Sequence, residues 1–411
     1  MQLSMERNMK KTIVVPTYWG RDSKTGWQPG DLVFDHPTPL DGNDTLGRFL
    51  DSLGVLDTTD YQVALVVVPT ADEIAEEALD RVKQIVSTAS SPVAPQLFTT
   101  STLKSISNMI GGDDGQFDEL LSMDGYANVR NCCLLAALLT GADLAVLIDD
   151  DEIFELPDFL DKVEHGFNRK FEGEEIRCLA GYYLNPDGDF RLKKQLPAWA
   201  GNWQKYQVMD EGFDQFIGAG PRYKKTPFVF GGNLTIRSDV FKLLPFDTNV
   251  TRGEDIDYLM MAMMSGIPTI LDNELHIMHK APPKSHPEWQ QFRQDIIRFA
   301  YQRAKIITAA RGTYEGIIAI KPEDMDPYPG FFLRDDLDER VKTTSKSLAD
   351  YYSSEGDQAA AEEALANIDV LQQSVEPGFD PISEFLKMKQ NWIKITEILS
   401  AEDYSSLLES F

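Results

Sequence analysis

Two acidic runs stand where an α/β protein could do chemistry. Asp149-Asp150-Asp151-Glu152 follows the apolar segment Leu144–Ile148 directly, so four carboxylates sit where a buried strand emerges. Charge at such a place is costly unless a cation or hydrogen bonds meet it. Alternate carboxylates at a strand end can hold one hard divalent cation, Mg²⁺ or Mn²⁺, which in turn neutralises a diphosphate. A solvated turn capping the next helix, near Leu156, is the plainer account, but four consecutive acids exceed what a cap needs. An EF-hand does not fit, because its glycine and terminal glutamate are missing at loop spacing. The second run, Glu254-Asp255 with Asp257 behind it, opens a helix after Gly253. Carboxylates in a first helical turn stabilise the macrodipole by a few tenths up to about 1 kcal/mol, so these residues alone require no catalysis. Gly231-Gly232-Asn233 would allow a backbone to approach a ligand closely, or would mark a bulge in a strand.

The elements that must position these groups read as an open, doubly wound sheet. Thr12–Pro16, Tyr61–Val68, Gln96–Thr99 and Asp143–Ile148 are continuous apolar runs, as expected of parallel strands covered on both faces. Helical stretches at Thr45–Leu53, Ala71–Ser87 and Asn128–Leu139 alternate with them. Ligands in such sheets bind beyond the carboxyl ends of the strands, which is where the first acidic run falls. Gly181–Pro227 shows no clean period, is rich in Gly, Trp and Tyr, and reads as a mobile binding loop. Phe228–Arg237 reads as a strand with a Gly-Gly break, Gly253–Ser265 as a helix and Ile267–His279 as a strand-like connection. After Ala281-Pro282-Pro283 the chain becomes mostly helical, so a boundary is expected near residue 285. The connection from Gly20 to Asn43, which carries His36, is far longer than the usual two to six residues and could form a lid or an acceptor wall.

Composition narrows the classes. The chain has 411 residues with 39 Lys+Arg against 66 Asp+Glu, a formal net charge of −27. That argues against nucleic acid and against an anionic membrane surface, both of which need clustered cations. Cys132, Cys133 and Cys178 form neither a disulfide framework nor a CxxC pair, and a reducing cytoplasm is the simplest home. The first residues lack the apolar core of a signal peptide, and the longest apolar stretch, Cys132–Ile148, is too short and too polar to span a bilayer. No transmembrane segment is expected.

Five segments together resemble a GT-A-fold glycosyltransferase, most similar to the large family-2 group. They are VVPTYWGR (Val14–Arg21), NVRNCCLLAALLTGADLAVLIDDDE (Asn128–Glu152), GGNLTIRSDVFKLLPFD (Gly231–Asp247), RGEDIDYLMMA (Arg252–Ala262) and the histidine ending HIMH. They occur in the expected order across roughly residues 12–280. The resemblance implies a Rossmann-like, mostly parallel sheet with helices on both faces, a nucleotide-diphosphate sugar donor linked to UDP or GDP, a divalent cation (Mn²⁺ or Mg²⁺) and a hydroxyl acceptor. It implies a catalytic domain over 1–285, with a nucleotide-sugar half to about 152 and an acceptor half beyond it, followed by a mostly helical region over 286–411.

Residue by residue, Asp149 and Asp151 match the DxD motif, facing ribose and metal respectively, although the triple Asp leaves Asp150 and Glu152 as an equivalent pair. Pro16, Thr17 and Tyr18 match the start of the nucleotide site, and Arg130 matches the arginine of an ARN-like element beside it. The family's uracil-reading acidic pair is replaced by Pro69-Thr70-Ala71-Asp72, which leaves Asp72 as the remaining acid there and the base open. Asp255 matches the general base, with Glu254 next to it, and His279 rather than His276 the metal-completing histidine. Gly231, Gly232, Asn233 and Trp203 fall on the acceptor side, where Trp199, Trp203 and Tyr206 could stack on sugars or simply anchor a loop. The expected reaction is sugar transfer with inversion. The alternatives are a retaining enzyme of the glucosyl- or mannosyl-glycerate synthase type, a nucleotidyltransferase, for which the glycine-rich triphosphate loop is lacking, and a scaffold protein working through its C-terminal helices. Amphipathic stretches such as Trp289–Ile307 would suit packing on the catalytic domain, acceptor binding or a homodimer.

Overall fold

The computed structural model describes residues 8–42, 44–111, 115–194, 197–282 and 286–410, so the boundary expected near 285 lies outside the described residues. In chain order the elements of the first half are β1 (Lys11–Gly20), β2 (Thr38–Pro39), α1 (Leu46–Ser52), β3 (Gln62–Pro69), α2 (Ala75–Thr88), β4 (Gln96–Phe98), α3 (Thr100–Ile110), α4 (Tyr126–Leu139), β5 (Leu144–Leu147), β6 (Glu152–Ile153) and α5 (Phe159–Phe167). A small hairpin of β7 (Lys170–Phe171) and β8 (Glu174–Glu175) leads to β9 (Cys178–Leu184), α6 (Lys205–Phe216), β10 (Tyr223–Lys225), β11 (Leu234–Arg237), α7 (Ser238–Phe241), α8 (Glu254–Met264) and β12 (Thr269–His279). Four long helices follow: α9 (Glu288–Arg311), α10 (Leu337–Ser354), α11 (Gln358–Gln373) and α12 (Pro381–Ser400).

The main sheet runs β10-β12-β9-β11-β5-β1-β3-β4, with β2 on β1 and β6 on β12. β1 is parallel to β3 and β5, while β11 enters antiparallel between β5 and β9. Period-two alternation sends Val14 to one face and Ile13 and Val15 to the other, and both faces are buried. The chain moves outward from β1 to β3 and β4 and then returns to place β5 on the other side of β1. That reversal opens a crevice at the carboxyl ends of β1 and β5.

Helix α4 is buried on all sides, which explains its long apolar run. Among the described residues no helix is long and apolar enough to cross a membrane. On its far side lies α12, whose Trp392 donates Nε1–H to the Phe241 carbonyl at 2.8 Å. The last described residues pair with the sheet edge, where Leu97 and Glu409 exchange backbone hydrogen bonds of 2.9 and 3.0 Å, and so cover β4 against further pairing. One apolar cluster therefore runs from Val14 to Leu408.

Two expectations need correction, and one helix carried no expectation. Gly181–Pro227 is not one irregular loop: among its described residues it contains the end of β9, all of α6 and β10, because Val208 and Phe213 give α6 a buried face. The strand expected over Phe228–Arg237 begins only at Leu234, with Gly231-Gly232 in the preceding turn. Helix α3 was not foreseen, since its Thr/Ser-rich start resembles a loop. It is begun by a capping box, in which the Thr99 hydroxyl accepts from the Thr102 amide at 3.3 Å.

A buried charge cluster ties α9 to α8. The Lys305 ammonium, fully buried, lies 2.6 Å from a carboxylate oxygen of Asp247 and 2.6 Å from one of Asp257. Burial pushes the Asp257 carboxyl up to about 6 against the pull of Lys305. Burial also acts to raise Asp247, but there Lys305 and the Asn249 hydrogen bonds prevail and hold the carboxyl below its ordinary value. Removing the cation leaves two buried carboxylates facing each other. Lys305→Met is expected to lower the unfolding free energy by about 3–5 kcal/mol in denaturant titrations near pH 8. An acid whose folded pKa exceeds its unfolded one gains stability as pH falls, so the deficit should shrink toward pH 5 as the pair takes up a proton.

Candidate active site

A cleft of about 390 Å³ lies over the crevice between β1 and β5. Its walls come from the end of β1 (Tyr18), the long connection after it (Asp35, His36), the start of α4 (Tyr126, Arg130), the acidic run after β5 (Asp149, Asp150, Asp151), the start of α8 (Glu254, Asp255) and the end of β12 (His279). Arg130 is its central cation. This side chain, 5% exposed, places Nη2 2.9 Å from Asp149 and Nε 3.4 Å from Glu254, joining the two acidic runs. Asp150 accepts from the Thr17 hydroxyl at 2.7 Å. Glu152 turns inward, fully buried, where its carboxylate accepts from the Asp149 amide at 2.9 Å near the Tyr183 hydroxyl. The same hydroxyl accepts from the Gly232 amide at 2.8 Å.

Carboxylates outnumber cations here, and burial leaves its mark on them. Burial and the neighbouring Asp151 push Asp150 up to about 7. Burial and Asp255 push Glu254 up to about 7, with Arg130 opposing. Burial likewise raises Asp149, Asp255 and, most strongly, Glu152. A site that strains to keep its carboxylates charged is one that a cation would stabilise.

The geometry offers a place for one. Asp151 Oδ2 and His279 Nε2 stand 3.4 Å apart, close to the roughly 3.0 Å that separates two adjacent ligands held about 2.1 Å from one ion. Tyr183 stacks on the His279 ring, centroids 4.7 Å apart, and restricts its orientation. Among the described residues no group of three His, Cys, Asp or Glu is arranged to hold a metal ion by itself. Two protein ligands suit Mg²⁺ or Mn²⁺, which fill their shells with water and substrate phosphate oxygens.

Of the residues singled out in the sequence, Tyr18, Arg130, Asp149, Asp150, Asp151, Gly231, Glu254, Asp255 and His279 all line this one cleft. Thr17 stands behind it, on Asp150. Pro16 is buried within β1, paired with Val66. Asp72 is exposed at the start of the turn into α2 and does not line the cleft; the connection after β1 lies against that turn, with the Leu32 amide bonded to the Thr70 carbonyl at 2.7 Å. Trp203 is buried beneath Phe292, Phe299 and Phe332, so it anchors the core and does not present a face to the cleft. Asn233 donates to the carbonyls of Tyr182 and Leu275 and stitches β9 to β12. His276 lies against Tyr182 and outside the cleft lining. Sequence reasoning missed Tyr126, Tyr183, Arg252, Arg298 and Tyr328, which also line it. Only Arg252 carried a signal, its place in the RGED run; the others come together through tertiary contacts.

No protein-family model and no curated protein matches the sequence. Among solved structures, a mannosyltransferase from Pyrobaculum calidifontis in complex with GDP-Man and Mn²⁺ is similar with a TM-score of 0.43 and 14% identity, over 97% of this chain and 88% of that one. Glucosyl-3-phosphoglycerate synthase from Mycobacterium tuberculosis in complex with Mn²⁺ and UDP-Glc is similar with a TM-score of 0.36 and 11% identity, over 71% and 77% of the two chains. Likeness at this level identifies neither a donor nor a reaction, and function must be read from the site.

The double glycine has a steric reason that can be tested. A Cβ on Gly232 would stand 2.1 Å from the buried Glu152 carboxylate. Gly232→Ala is therefore expected to cost about 1–3 kcal/mol and to be visible as a lowered Tm, whereas Gly201→Ala, with nothing within 4 Å, should leave Tm unchanged.

Proposed function

We propose that the chain is a metal-dependent glycosyltransferase of the GT-A kind, which moves a sugar from a nucleotide-diphosphate sugar to an acceptor hydroxyl with inversion. The observation that carries this reading is the convergence of both acidic runs on one crevice at the strand-order reversal, joined through Arg130. Asp151 and His279 would hold the divalent cation, which when bound neutralises charge on the leaving diphosphate. Tyr18, at the end of β1, gives the nucleotide an aromatic wall, and Asp149 and Asp150 face its ribose and phosphates.

Asp255 serves as the base. Its carboxylate accepts the Gly231 amide at 3.1 Å and the Ile256 amide at 2.8 Å, which fix the group's orientation. About four acceptor positions on a carboxylate leave room for an incoming hydroxyl. Asp255 takes the acceptor proton while the acceptor oxygen bonds the anomeric carbon. The bond from that carbon to the phosphate oxygen breaks, and its electron pair leaves with the nucleoside diphosphate. The connection carrying Asp35 and His36 walls the cleft, and the Asp35–Arg252 ion pair at 2.5 Å joins it to the start of α8, limiting water that would hydrolyse the donor.

Titration of UDP and GDP with Mn²⁺ should raise Tm for one of them, which a scaffold protein would not show. Asp255→Asn is expected to lower kcat by about 10²–10⁴-fold, and Asp151→Asn to abolish stimulation by Mn²⁺. NMR of the product should show the opposite anomer to the donor. Near-normal turnover in Asp255→Asn with a dead Asp151→Asn would replace the inverting reading with a retaining one that needs no protein base.

A further inference from the structure

The C-terminal helix α9 reaches the cleft through Arg298. Of the three cleft arginines, Arg130 bonds two carboxylates, and Arg252 bonds Asp35 and Gln294 through its two terminal nitrogens. Arg298 is held differently. Among the described residues its polar contacts run through Nη2, 2.8 Å to Asp295 and 2.7 Å to the Tyr328 hydroxyl. Asp295 is itself shared with Lys205, at 2.7 Å. Nε of Arg298 is buried and has no hydrogen-bond partner among the described residues, and the residue as a whole is 8% exposed. A guanidinium nitrogen left so is costly unless something meets it.

The backbone makes room for this group. Gly253, immediately before Glu254-Asp255, is left-handed with φ +73°, and a Cβ there would stand 2.7 Å from Arg298 Nη1. Arg298 and Asp255 line the same cleft, and no ion pair joins the two. A molecule lying in the cleft with a hydroxyl at Asp255 would have Arg298 beside it. Guanidinium presents a planar fork that matches a carboxylate or a phosphate group.

We infer that Arg298 is an acceptor-binding residue and that the acceptor it selects is an anion, a hydroxyl compound carrying a carboxylate or a phosphate group. The inference rests on the proposed function, since it names the acceptor side of that site. The C-terminal helices, on this account, set acceptor specificity.

The test uses the full chain saturated with the stabilising nucleoside diphosphate and Mn²⁺, so that the donor phosphate position is filled. Sulfate, acetate and the neutral glycerol are then titrated by calorimetry into wild type, Arg298→Gln and Arg298→Lys, with Tm measured for each. Saturable binding of sulfate or acetate but not glycerol is expected, weakened at least about tenfold in Arg298→Gln and less in Arg298→Lys, which keeps the charge without the fork. Preference for sulfate or for acetate assigns the phosphate or the carboxylate class. Absence of anion binding in wild type, or equal binding in Arg298→Gln and wild type, would overturn the inference while leaving nucleotide binding intact. If Arg298→Gln does not fold, equal anion affinity in Arg298→Lys and wild type would overturn the bidentate role. If no nucleotide binds, the proposed function falls, and the acceptor assignment falls with it.

Discussion

One buried guanidinium holds the cleft together. Arg130 projects from α4, a helix enclosed on every side by apolar contacts, so its position is set by the core. From there it reaches Asp149 at the end of β5 and Glu254 at the start of α8, two segments more than one hundred residues apart in sequence. A buried ion pair adds little net stability over a packed apolar substitute, but removing one partner costs about 3–5 kcal/mol. Such a contact therefore specifies an arrangement more than it strengthens a fold. Here it fixes the distance between the acidic turn after β5 and the helix start that carries Asp255.

The same logic recurs one layer further out. Lys305 joins Asp247 and Asp257, and Arg298 packs against Gly253, so α9 grips the first turn of α8 and the segment that leads into it. On the other side α12 packs against α4 and bonds the Phe241 and Lys242 carbonyls. The helices after residue 286 thus brace the two helices whose first turns form the cleft. Through Arg298 of α9 and Tyr328 this region also supplies part of the cleft wall.

Much of this was readable in sequence where local pattern and burial coincide. The apolar run Leu144–Ile148 ending in four acids announced both a strand and a cluster of carboxylates at its end, three of which line the cleft. Pattern failed where burial was created by distant partners. Thr99 and Thr102 look like loop residues until their hydroxyls cap α3. The Gly, Trp and Tyr content around α6 suggested a loop, but Trp203 is drawn under the rings of α9 and the segment around Phe332. Gly231-Gly232 suggested ligand approach, yet Gly232 is required by an internal carboxylate, that of Glu152. Asp72 illustrates the reverse case, an acid at the expected place along the chain that ends exposed and outside the cleft lining. No local signal could have placed Arg298 or Tyr328, because each belongs to the cleft only once α9 has packed on α8.

The acid excess of the whole chain bears on the cleft in a specific way. A net charge of −27 would repel a diphosphate from any unshielded surface. The cations lining the cleft do not reverse that field by number, since Arg130, Arg252 and Arg298 each stand at close range to a carboxylate. Positive charge must then be concentrated at points rather than spread. For the proposed reaction those points are a divalent ion between Asp151 and His279 on the donor side and the guanidinium of Arg298 on the acceptor side. A diffuse cationic groove would bind polyanions indiscriminately, whereas two point charges set in an acidic frame admit only a ligand whose own charges match their positions.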